Sequence, residues 1–388
     1  MKFHSIVFTF SLVLSSLALS IPWVSDHMVQ HLFADPSISK GPDVDLVGLH
    51  KHLVSIKSLS GYEQEVVSWL ADYLASRGLT VELNKVEDET ERYNLYAYLG
   101  TTRNTKVVLT SHLDTVPPYL PYKVEEGGYI FGRGSCDAKG SVAAQVIAFL
   151  NLLEEGSIKE GDVSLLYVVG EEIGGDGMRT ASKTLGAKWD TAIFGEPTEN
   201  KLAIGHKGIA LFDLKITGKS CHSGYPELGI DADAMLVQIL HKLLFETSWP
   251  VSDLLGNSTV NAGQINGGVA ANVISSEAHA KVLIRVAKDI DAVEKLIYEA
   301  IAPFEEYTDI TFHSKEDATF LDYKVEGFEN YIAAYSTDVP FLVTGSNLTR
   351  YLYGPGSIMV AHGPDEMVKV SDLQDSVDGY KRLVSVSL

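Results

Sequence analysis

Residues 165–177 read LLYVVGEEIGGDG, and this stretch decides which kind of fold the chain adopts. Five apolar or aromatic residues lead directly to Gly170, and the carboxylates Glu171 and Glu172 follow before a cluster of glycines. A short, continuously apolar run of this kind is typical of a strand buried on both faces of a parallel sheet. Two adjacent carboxylates repel each other, so their position at the end of a buried strand needs an explanation.

Two further apolar segments end in the same way. KVVLT at 106–110 is followed by His112 and Asp114, and TAIF at 191–194 is followed by Glu196. Segments with helical spacing separate these strands. Strands that alternate with helices predict a mostly parallel sheet covered by helices on both faces. The predicted fold class is therefore α/β.

The polar residues after the three strands are expected to meet, because the carboxyl ends of parallel strands line one crevice of an open sheet. A bare cluster of buried carboxylates is too costly to desolvate, so its members must be paired, protonated or bound to a metal. Histidine together with several Asp and Glu residues is the donor set of a hydrolytic zinc or cobalt site. The sequence therefore predicts a metal site at this edge of the sheet.

Two parts of this set have a second interpretation. His112 and Asp114 are two residues apart, which suits a histidine ligand and the carboxylate that orients it, although a solvated loop end would show the same spacing. Asp137 stands directly before a predicted helix that begins at Ala138. Because Asp is a favoured helix N-cap, the local pattern at Asp137 favours a cap over a metal ligand.

The character of the sequence changes around residue 207. The segments that follow predict the order βαββαβ, which describes a compact α+β unit of the ferredoxin-like kind. Because α/β character returns afterwards, this unit is expected to be an insertion at 207–315. Residues 21–206 and 316–388 would then form the α/β unit on either side of it.

Composition and the N-terminus limit the classes of protein to consider. The formal net charge of −20 argues against nucleic acid and anionic membrane as partners, since both attract basic surfaces. Residues 1–20 resemble a secretory signal peptide, with an uncleaved membrane anchor as the alternative. Secretion in a eukaryote would make the sequons at Asn257 and Asn347 available for glycans. The two cysteines, Cys136 and Cys221, exclude a disulfide framework but leave room for a single bridge.

Six short motifs in order give the chain a family resemblance. They are SHLDT, GRGSCDAKG, GEEIGG, GEPT, HSGYP and HGPDE. In this order they resemble the dinuclear zinc hydrolases that include acetylornithine deacetylase, succinyl-diaminopimelate desuccinylase, aminoacylase and carboxypeptidase G, and most closely a secreted fungal-type carboxypeptidase. The sequence lacks the motifs of competing classes, namely G-x-S-x-G, H-E-x-x-H and a G-x-G-x-x-G after a strand.

The resemblance implies a dinuclear metal site. His112 and Glu196 would bind one zinc ion, and Glu172 and His362 would bind the other. Asp137 would bridge the two ions, which overrides the local preference for a helix cap. Two zinc ions per chain are therefore expected, with cobalt or manganese as substitutes.

The resemblance also assigns the residues around the metals. Asp114 would orient His112, and Glu171 would be the general base and acid. The inserted unit would be a lid that also carries the dimer contact, and its His222 would reach the site of the partner subunit and support the oxyanion. The residues expected to contact the substrate, the first two of them through its carboxylate, are Asn272, Arg285 and Gly356.

The predicted function is that of a secreted, metal-dependent hydrolase that cuts an amide bond in a substrate with a free carboxylate, and a metallocarboxypeptidase is the first choice. An N-acyl-amino-acid deacylase or a dipeptidase would use the same groups, and an inactive binding protein of the same fold is a remote alternative. The expected partners are a small peptide or N-acyl amino acid and a second copy of the chain. Cys136 departs from this subgroup, and a small buried residue is the favoured role for it over a zinc ligand.

Overall fold

A computed structural model describes residues 30–32, 45–86, 90–343 and 347–388. The expected signal peptide at 1–20 lies outside these ranges. Within them, no helix is both long enough and apolar enough to cross a membrane.

Seven α-helices lie in the described ranges. They are α1 (Leu46–Ser55), α2 (Gln64–Ser76), α3 (Lys139–Glu154), α4 (Asp176–Thr180), α5 (Ala232–His241), α6 (Ile290–Ile301) and α7 (Val370–Ser387). Shorter 3-10 or π turns lie at Glu171–Ile173, Ala181–Leu185, Pro226–Leu228, Lys242–Glu246, Ala302–Tyr307 and Val339–Phe341.

The strands of the described ranges are named in chain order. The first nine are β1 (Gln30–Leu32), β2 (Thr80–Lys85), β3 (Tyr93–Tyr98), β4 (Val107–His112), β5 (Lys123–Glu125), β6 (Tyr129–Phe131), β7 (Val163–Val168), β8 (Thr191–Gly195) and β9 (Leu202–His206). The others are β10 (Gly208–Thr217), β11 (Val251–Ser252), β12 (Gly256–Asn257), β13 (Thr259–Gly267), β14 (Glu277–Val286), β15 (Thr308–Glu316), β16 (Thr319–Phe320), β17 (Asn330–Ala333), β18 (Thr349–Tyr353) and β19 (Met367–Lys369).

The largest sheet has seven strands in the order β1-β2-β3-β7-β4-β8-β18. The strands β7, β4, β8 and β18 pair in parallel, whereas the pairs β1-β2, β2-β3 and β3-β7 are antiparallel. The sheet is therefore mixed, and the expected parallel arrangement describes the half that carries the candidate site. The α/β fold class predicted from the sequence is confirmed.

Helices and loops cover both faces of this sheet, which explains the continuous apolar runs. Every residue of β4, β7 and β8 is buried. Successive residues point to opposite faces, so that Leu109 and Leu165 belong to the core formed with α1, α2, α3 and α7. Their neighbours Val108 and Leu166 belong to a second core on the other face.

The inserted unit is a second, antiparallel sheet. Its strands follow the order β13-β14-β10-β15, and α5 and α6 cover one face with a core of their own. Asp231 and Asp289 cap these two helices through their side chains, which is a favoured use of Asp. The element order βαββαβ and the strand order are those of a ferredoxin-like unit, as expected for the fold class.

The chain enters and leaves the inserted unit through neighbouring strands. Only Lys207 separates β9 from β10. On the return path, Glu316 at the end of β15 pairs with Ile209, and Thr319 in β16 pairs with His206. The two connections therefore lie side by side.

Candidate metal centre

Three parallel strands deliver the predicted polar residues to one edge of the sheet. His112 is the last residue of β4 and lies opposite Val168, the last residue of β7. Gly170 follows with a positive φ of 75°, and a 3-10 turn begins at Glu171. Glu196 follows β8 directly. Because the strands are in register and end together, the side chains that follow them converge.

The structure brings together all five residues predicted to bind metal. Nε2 of His112 lies 3.1 Å from Oδ1 of Asp137 and 3.9 Å from Oε1 of Glu196. Nε2 of His362 lies 3.2 Å from Oδ2 of Asp137 and 3.0 Å from Oε2 of Glu172. Within each of these two groups of three residues, the possible ligand atoms lie within 4.8 Å of one another. Asp137 belongs to both groups and turns one oxygen toward each histidine.

The local prediction that Asp137 caps a helix is wrong. Helix α3 begins at Lys139, and its N-cap is Ala138, which makes no side-chain capping bond. The carboxylate of Asp137 instead faces the histidines of two other segments. Capping and metal binding both favour Asp at the start of a helix, so the local sequence could not separate them.

Asp114 explains how two adjacent glutamates are held at the end of β7. Its buried carboxylate accepts hydrogen bonds from the backbone N–H groups of Glu171 at 3.1 Å and Glu172 at 3.3 Å. It also accepts a hydrogen bond from Oγ of Ser60 at 2.8 Å. Nδ1 of His112 lies 3.6 Å from Oδ1 of Asp114 and 3.0 Å from its carbonyl oxygen. Asp114 therefore links the histidine to the turn that carries both glutamates.

The carboxyl groups of the cluster are hard to ionise together. Desolvation raises the pKa of Glu171 well above its usual value, although His112 opposes the rise, and the carboxylates of Glu196 and Asp338 add to it. Desolvation likewise raises the pKa of Glu196 well above the usual range. Asp338, a buried residue, has its pKa raised to about 7, again mainly by desolvation.

The pKa values of the two histidines are raised as well, which favours the charged form of each imidazole. Burial opposes a charge on His112, but hydrogen bonds to Asp114 and Asp137 raise its pKa well above the usual value. Hydrogen bonds to Asp137 and Glu172 raise the pKa of His362 to about 10. Two charged histidines can neutralise only two carboxylates, so ionising the remaining carboxyl groups of the cluster requires further positive charge.

The donor set fits divalent cations. The carboxyl groups that act on one another at this site belong to Asp114, Asp137, Glu171, Glu172, Glu196 and Asp338. Buried charges of one sign are stable only when they are paired or coordinate a metal, and a bound cation reverses the cost of holding them together. Imidazole and carboxylate are ligands that zinc accepts.

Two buried acids near this site have roles that the sequence did not predict. Glu366 accepts hydrogen bonds from the backbone N–H groups of Gly134 at 2.9 Å, Asp137 at 3.2 Å and Cys136 at 3.3 Å. Its other oxygen accepts from Nη1 of Arg133 at 2.6 Å. The motif HGPDE contains Glu366, but no local spacing points to these contacts.

The ion pair of Arg133 and Glu366 also contacts His362, a second predicted metal ligand. Nη2 of Arg133 donates to the carbonyl oxygen of His362 at 3.3 Å, and His362 has a positive φ of 63°. The other missed acid, Asp338, has an Oδ2 atom without a hydrogen-bond partner among the described residues. No motif in the sequence pointed to it.

Arg285 lies beside the candidate site. It belongs to β14 and donates from Nη1 to Oγ of Ser336 at 3.3 Å. It lines a pocket of about 490 Å³ whose walls also include Glu171 and Glu172. The structure therefore brings the predicted carboxylate-binding residue to the predicted general base.

His222 and Asn272 lie elsewhere in the chain. Both are exposed, and they are neighbours, because His222 forms a β-bridge with Val273. Arg285 pairs with Ile209 near the start of β10, whereas His222 comes five residues after Thr217, the last residue of that strand. Eight residues of strand separate the two ends, which is roughly 27 Å at ~3.4 Å per residue. One chain therefore does not bring these two residues to Arg285.

The remaining predicted positions are also defined by the structure. Gly356 has a φ of 78°, and a Cβ atom there would lie 2.5 Å from Cβ of Cys136. Cys136 is fully buried and free, and Cys221 is free as well. Burial and the nearby carboxylate of Glu366 raise the pKa of the Cys136 thiol well above its usual value. The sequon residues Asn257 and Asn347 are exposed.

Comparisons with known proteins agree with this architecture. Residues 108–386 match the profile of Peptidase family M20/M25/M40. The chain is 51% identical over 345 residues to a Peptidase M20 domain-containing protein of Schizosaccharomyces pombe, with 89% of this chain and 85% of the relative covered. It is 41% identical over 372 residues to a probable carboxypeptidase of Aspergillus clavatus, with 88% of this chain and 89% of the relative covered.

A solved structure shares the fold. A tripeptidase from Staphylococcus aureus superposes with a TM-score of 0.75 at 20% sequence identity, and the match covers 88% of this chain and 97% of that one. The family resemblance predicted from the six motifs is confirmed by the profile match and by the similarity to the two fungal proteins. The chain belongs to peptidase family M20/M25/M40 and is a metal-dependent hydrolase of peptide or related amide bonds.

Proposed function

We propose that the chain is a secreted metallocarboxypeptidase that removes residues from the carboxyl end of peptides. The observation that carries the proposal is the guanidinium of Arg285, which shares a pocket with Glu171. Its hydrogen-bond partner among the described residues is the hydroxyl of Ser336 and not a carboxylate. A guanidinium binds a carboxylate through two parallel hydrogen bonds, so a substrate with a free carboxylate next to the scissile amide fits this pocket.

The metals that we propose are two zinc ions per chain, with cobalt or manganese as substitutes. His112, Asp137 and Glu196 would hold one ion, and Asp137, Glu172 and His362 would hold the other. When bound, such ions lower the pKa of a water molecule and polarise a carbonyl oxygen.

The chain's own residues then divide the remaining work. Glu171 lies outside both donor sets, and burial raises its pKa, which favours uptake of a proton by its carboxylate, the first task of a general base. It accepts a proton from the water that attacks the amide carbon and gives a proton to the leaving amine nitrogen. Asp114 keeps the turn of Glu171 and the ring of His112 in a fixed relation.

A second copy of the chain would complete the site. His222 and Asn272 are exposed neighbours at the far end of the inserted unit from Arg285. We propose that this unit is the lid and dimerisation domain and that a partner subunit supplies both residues. His222 would then support the oxyanion, and Asn272 would help Arg285 bind the substrate carboxylate.

Secretion is part of the proposal and rests on residues 1–20, with support from the exposed sequons at Asn257 and Asn347. Sequencing the N-terminus of protein recovered from the medium tests it. A chain that starts close after Ser20 is the expected result. Full-length chain retained in a membrane fraction would contradict it.

The catalytic assignment is tested by measuring zinc per chain and kcat for two variants. Glu172→Gln should lose affinity for one zinc ion, so its activity should depend on added metal. Glu171→Gln should keep both ions but lose roughly 10²–10⁴-fold in rate, because proton transfer is removed. The reverse pattern would exchange the two roles, and full activity of both variants would reject the mechanism.

The substrate class is tested with a panel of blocked dipeptides, free dipeptides and N-acyl amino acids. Preferred cleavage of blocked dipeptides supports a carboxypeptidase. Preference for free dipeptides or for N-acyl amino acids would indicate a dipeptidase or a deacylase. No turnover of any substrate by zinc-loaded protein would indicate a binding protein of the same fold.

A further inference from the structure

The pocket beside Glu171 has a second group of lining residues, of which the proposed reaction uses only Arg285. The pocket has a volume of about 490 Å³, which lies within the range of small-molecule sites. Glu171 and Glu172 line it together with residues of the inserted strands β10, β14 and β15, and we call the part formed by these strands its second end. The side chains at this second end determine which residue of a substrate fits there.

The open face of the inserted sheet forms one wall, and its strand register gives the order of the side chains. Ile209 on β10 lies opposite Arg285 on β14 and opposite Glu316 on β15. All three therefore belong to one row across the sheet, with Ile209 in the middle. Leu211 points to the same face two residues further along β10. Ile209 and Leu211 are half-buried and line the pocket.

The opposite wall is built around an ion pair that spans the pocket. The guanidinium carbon of Arg179 lies 3.4 Å from the ring centroid of Phe341. Nη2 of Arg179 lies 3.5 Å from Oε1 of Glu316. Arg179 and Glu316 thus satisfy each other's charge, which leaves Arg285 as the guanidinium of the pocket without a carboxylate partner among the described residues.

We propose that this end of the pocket binds the side chain of the substrate's C-terminal residue, and that it selects apolar side chains of about the size of leucine. The inference rests on the proposed carboxypeptidase function. With the substrate carboxylate on Arg285, the adjacent Ile209 and Leu211 lie where the side chain of that residue would be. The two apolar side chains then contact it and remove it from water.

Charged side chains are excluded for a specific reason. An acidic side chain would approach Glu316 and would meet a carboxylate of the same sign. A basic side chain would have to compete with Arg179 for Glu316. Because both charges of the wall are already paired, neither is available without breaking that pair.

The test uses blocked dipeptides that share the first residue and end in Leu, Ala, Asp or Lys. The wild-type kcat/KM for the Leu peptide should exceed that for the Ala peptide by more than about 10-fold, because a single methylene in a hydrophobic pocket is already worth about 10- to 200-fold. The Asp and Lys peptides should be cleaved more slowly than the Ala peptide.

Variants locate the preference in the pocket. Leu211→Ala should reduce the ratio of Leu to Ala cleavage about tenfold or more, and Ile209→Ala should reduce it as well. Leu283→Ala is the matched control, because Leu283 lies opposite Leu211 on the same face but outside the pocket, and its ratio should stay unchanged. Glu316→Gln should improve the Asp peptide relative to the Leu peptide, since it removes the repulsion and frees Arg179.

The rates of the wild type and the variants distinguish failure of this inference from failure of the carboxypeptidase function. Similar wild-type rates for all four peptides, or a preference for the Asp peptide, would overturn the inference and leave the carboxypeptidase function intact. Equal ratios in Leu211→Ala, Ile209→Ala and Leu283→Ala would also overturn it, because the preference would arise elsewhere. Failure of the wild type to cleave any of the four peptides would instead remove the carboxypeptidase function on which the inference rests.

Discussion

Replacing Glu366 by Gln should lower the free energy of unfolding strongly, because Glu366 belongs to a buried ion pair. Glu366 and Arg133 are both buried, and Nη1 of Arg133 lies 2.6 Å from Oε2 of the glutamate. In Glu366→Gln, one amide oxygen can still accept from the N–H groups near Asp137, but the amide nitrogen then faces the guanidinium. Removing one partner of a buried ion pair costs about 3–5 kcal/mol, a large share of the ~5–15 kcal/mol that stabilises most native proteins.

Urea unfolding of the metal-free protein at pH 8 measures this cost. Glu294→Gln is the matched control, because Glu294 pairs with Lys315 at the surface and its loss should cost at most about 1 kcal/mol. The double variant Arg133→Met/Glu366→Gln should be more stable than the two single losses predict, since no unpaired charge remains. Zinc affinity should fall as well, because the pair contacts Asp137 and His362. A cost for Glu366→Gln no larger than that for Glu294→Gln would refute the reasoning.

Three further predictions follow from the site and the core. Arg285→Ala should lower kcat/KM about 10- to 150-fold for peptides with a free terminal carboxylate and much less for their amides. Arg285→Lys should restore only part of the lost kcat/KM, because Lys lacks the planar fork. Equal losses for acids and amides would contradict the assignment. Mixing inactive His222→Ala and Glu171→Gln chains should recover partial activity in hybrid dimers, and full activity of a proven monomer would exclude this. Burial lowers the pKa of His50 from 6.5 to about 4. As the pH falls, the His50 imidazole is therefore protonated in the unfolded chain before it is protonated in the folded one, and the unfolding free energy should drop by roughly 2 kcal/mol between pH 7 and 5. In urea titrations of metal-free protein, His50→Gln should remove that part of the slope, and an unchanged slope would show that His50 is not its source.

Elements buried on both faces were the easiest to predict from the sequence. The apolar segments at 106–110, 163–169 and 191–194 correspond to β4, β7 and β8. They were recognisable because a strand covered on both faces is a continuous apolar run. The direction of the strands was harder to predict. β3 is almost as buried as the parallel strands β4, β7 and β8, but it runs antiparallel to its neighbour β7. Burial leaves no mark of strand direction in the sequence.

The candidate site shows the same division between local and distant information. Residues at a strand end or directly after it, such as His112 and Glu196, could be predicted because parallel strands end at one edge. The partners of Glu366 could not, since its contact to Gly134 joins residues 232 positions apart. The distance of His222 from Arg285 along β10 was equally hidden, because the motifs give the order of residues in the chain and not their separation in space.

The neighbouring entry and exit strands of the inserted unit make it a self-contained cassette. The chain enters the inserted unit at Lys207 and returns at Thr319, which pairs with the preceding residue, His206. The segment between these points can therefore be lengthened, shortened or exchanged without moving the ends that it joins. The entropy of closing a loop grows only slowly with its length, and the inserted sheet has a core of its own. Evolution can therefore alter Ile209, Leu211 and their surroundings as one module while the metal-bearing sheet keeps its framework. Divergence among relatives should accordingly concentrate in the cassette and not at the strand ends that carry the candidate metal ligands.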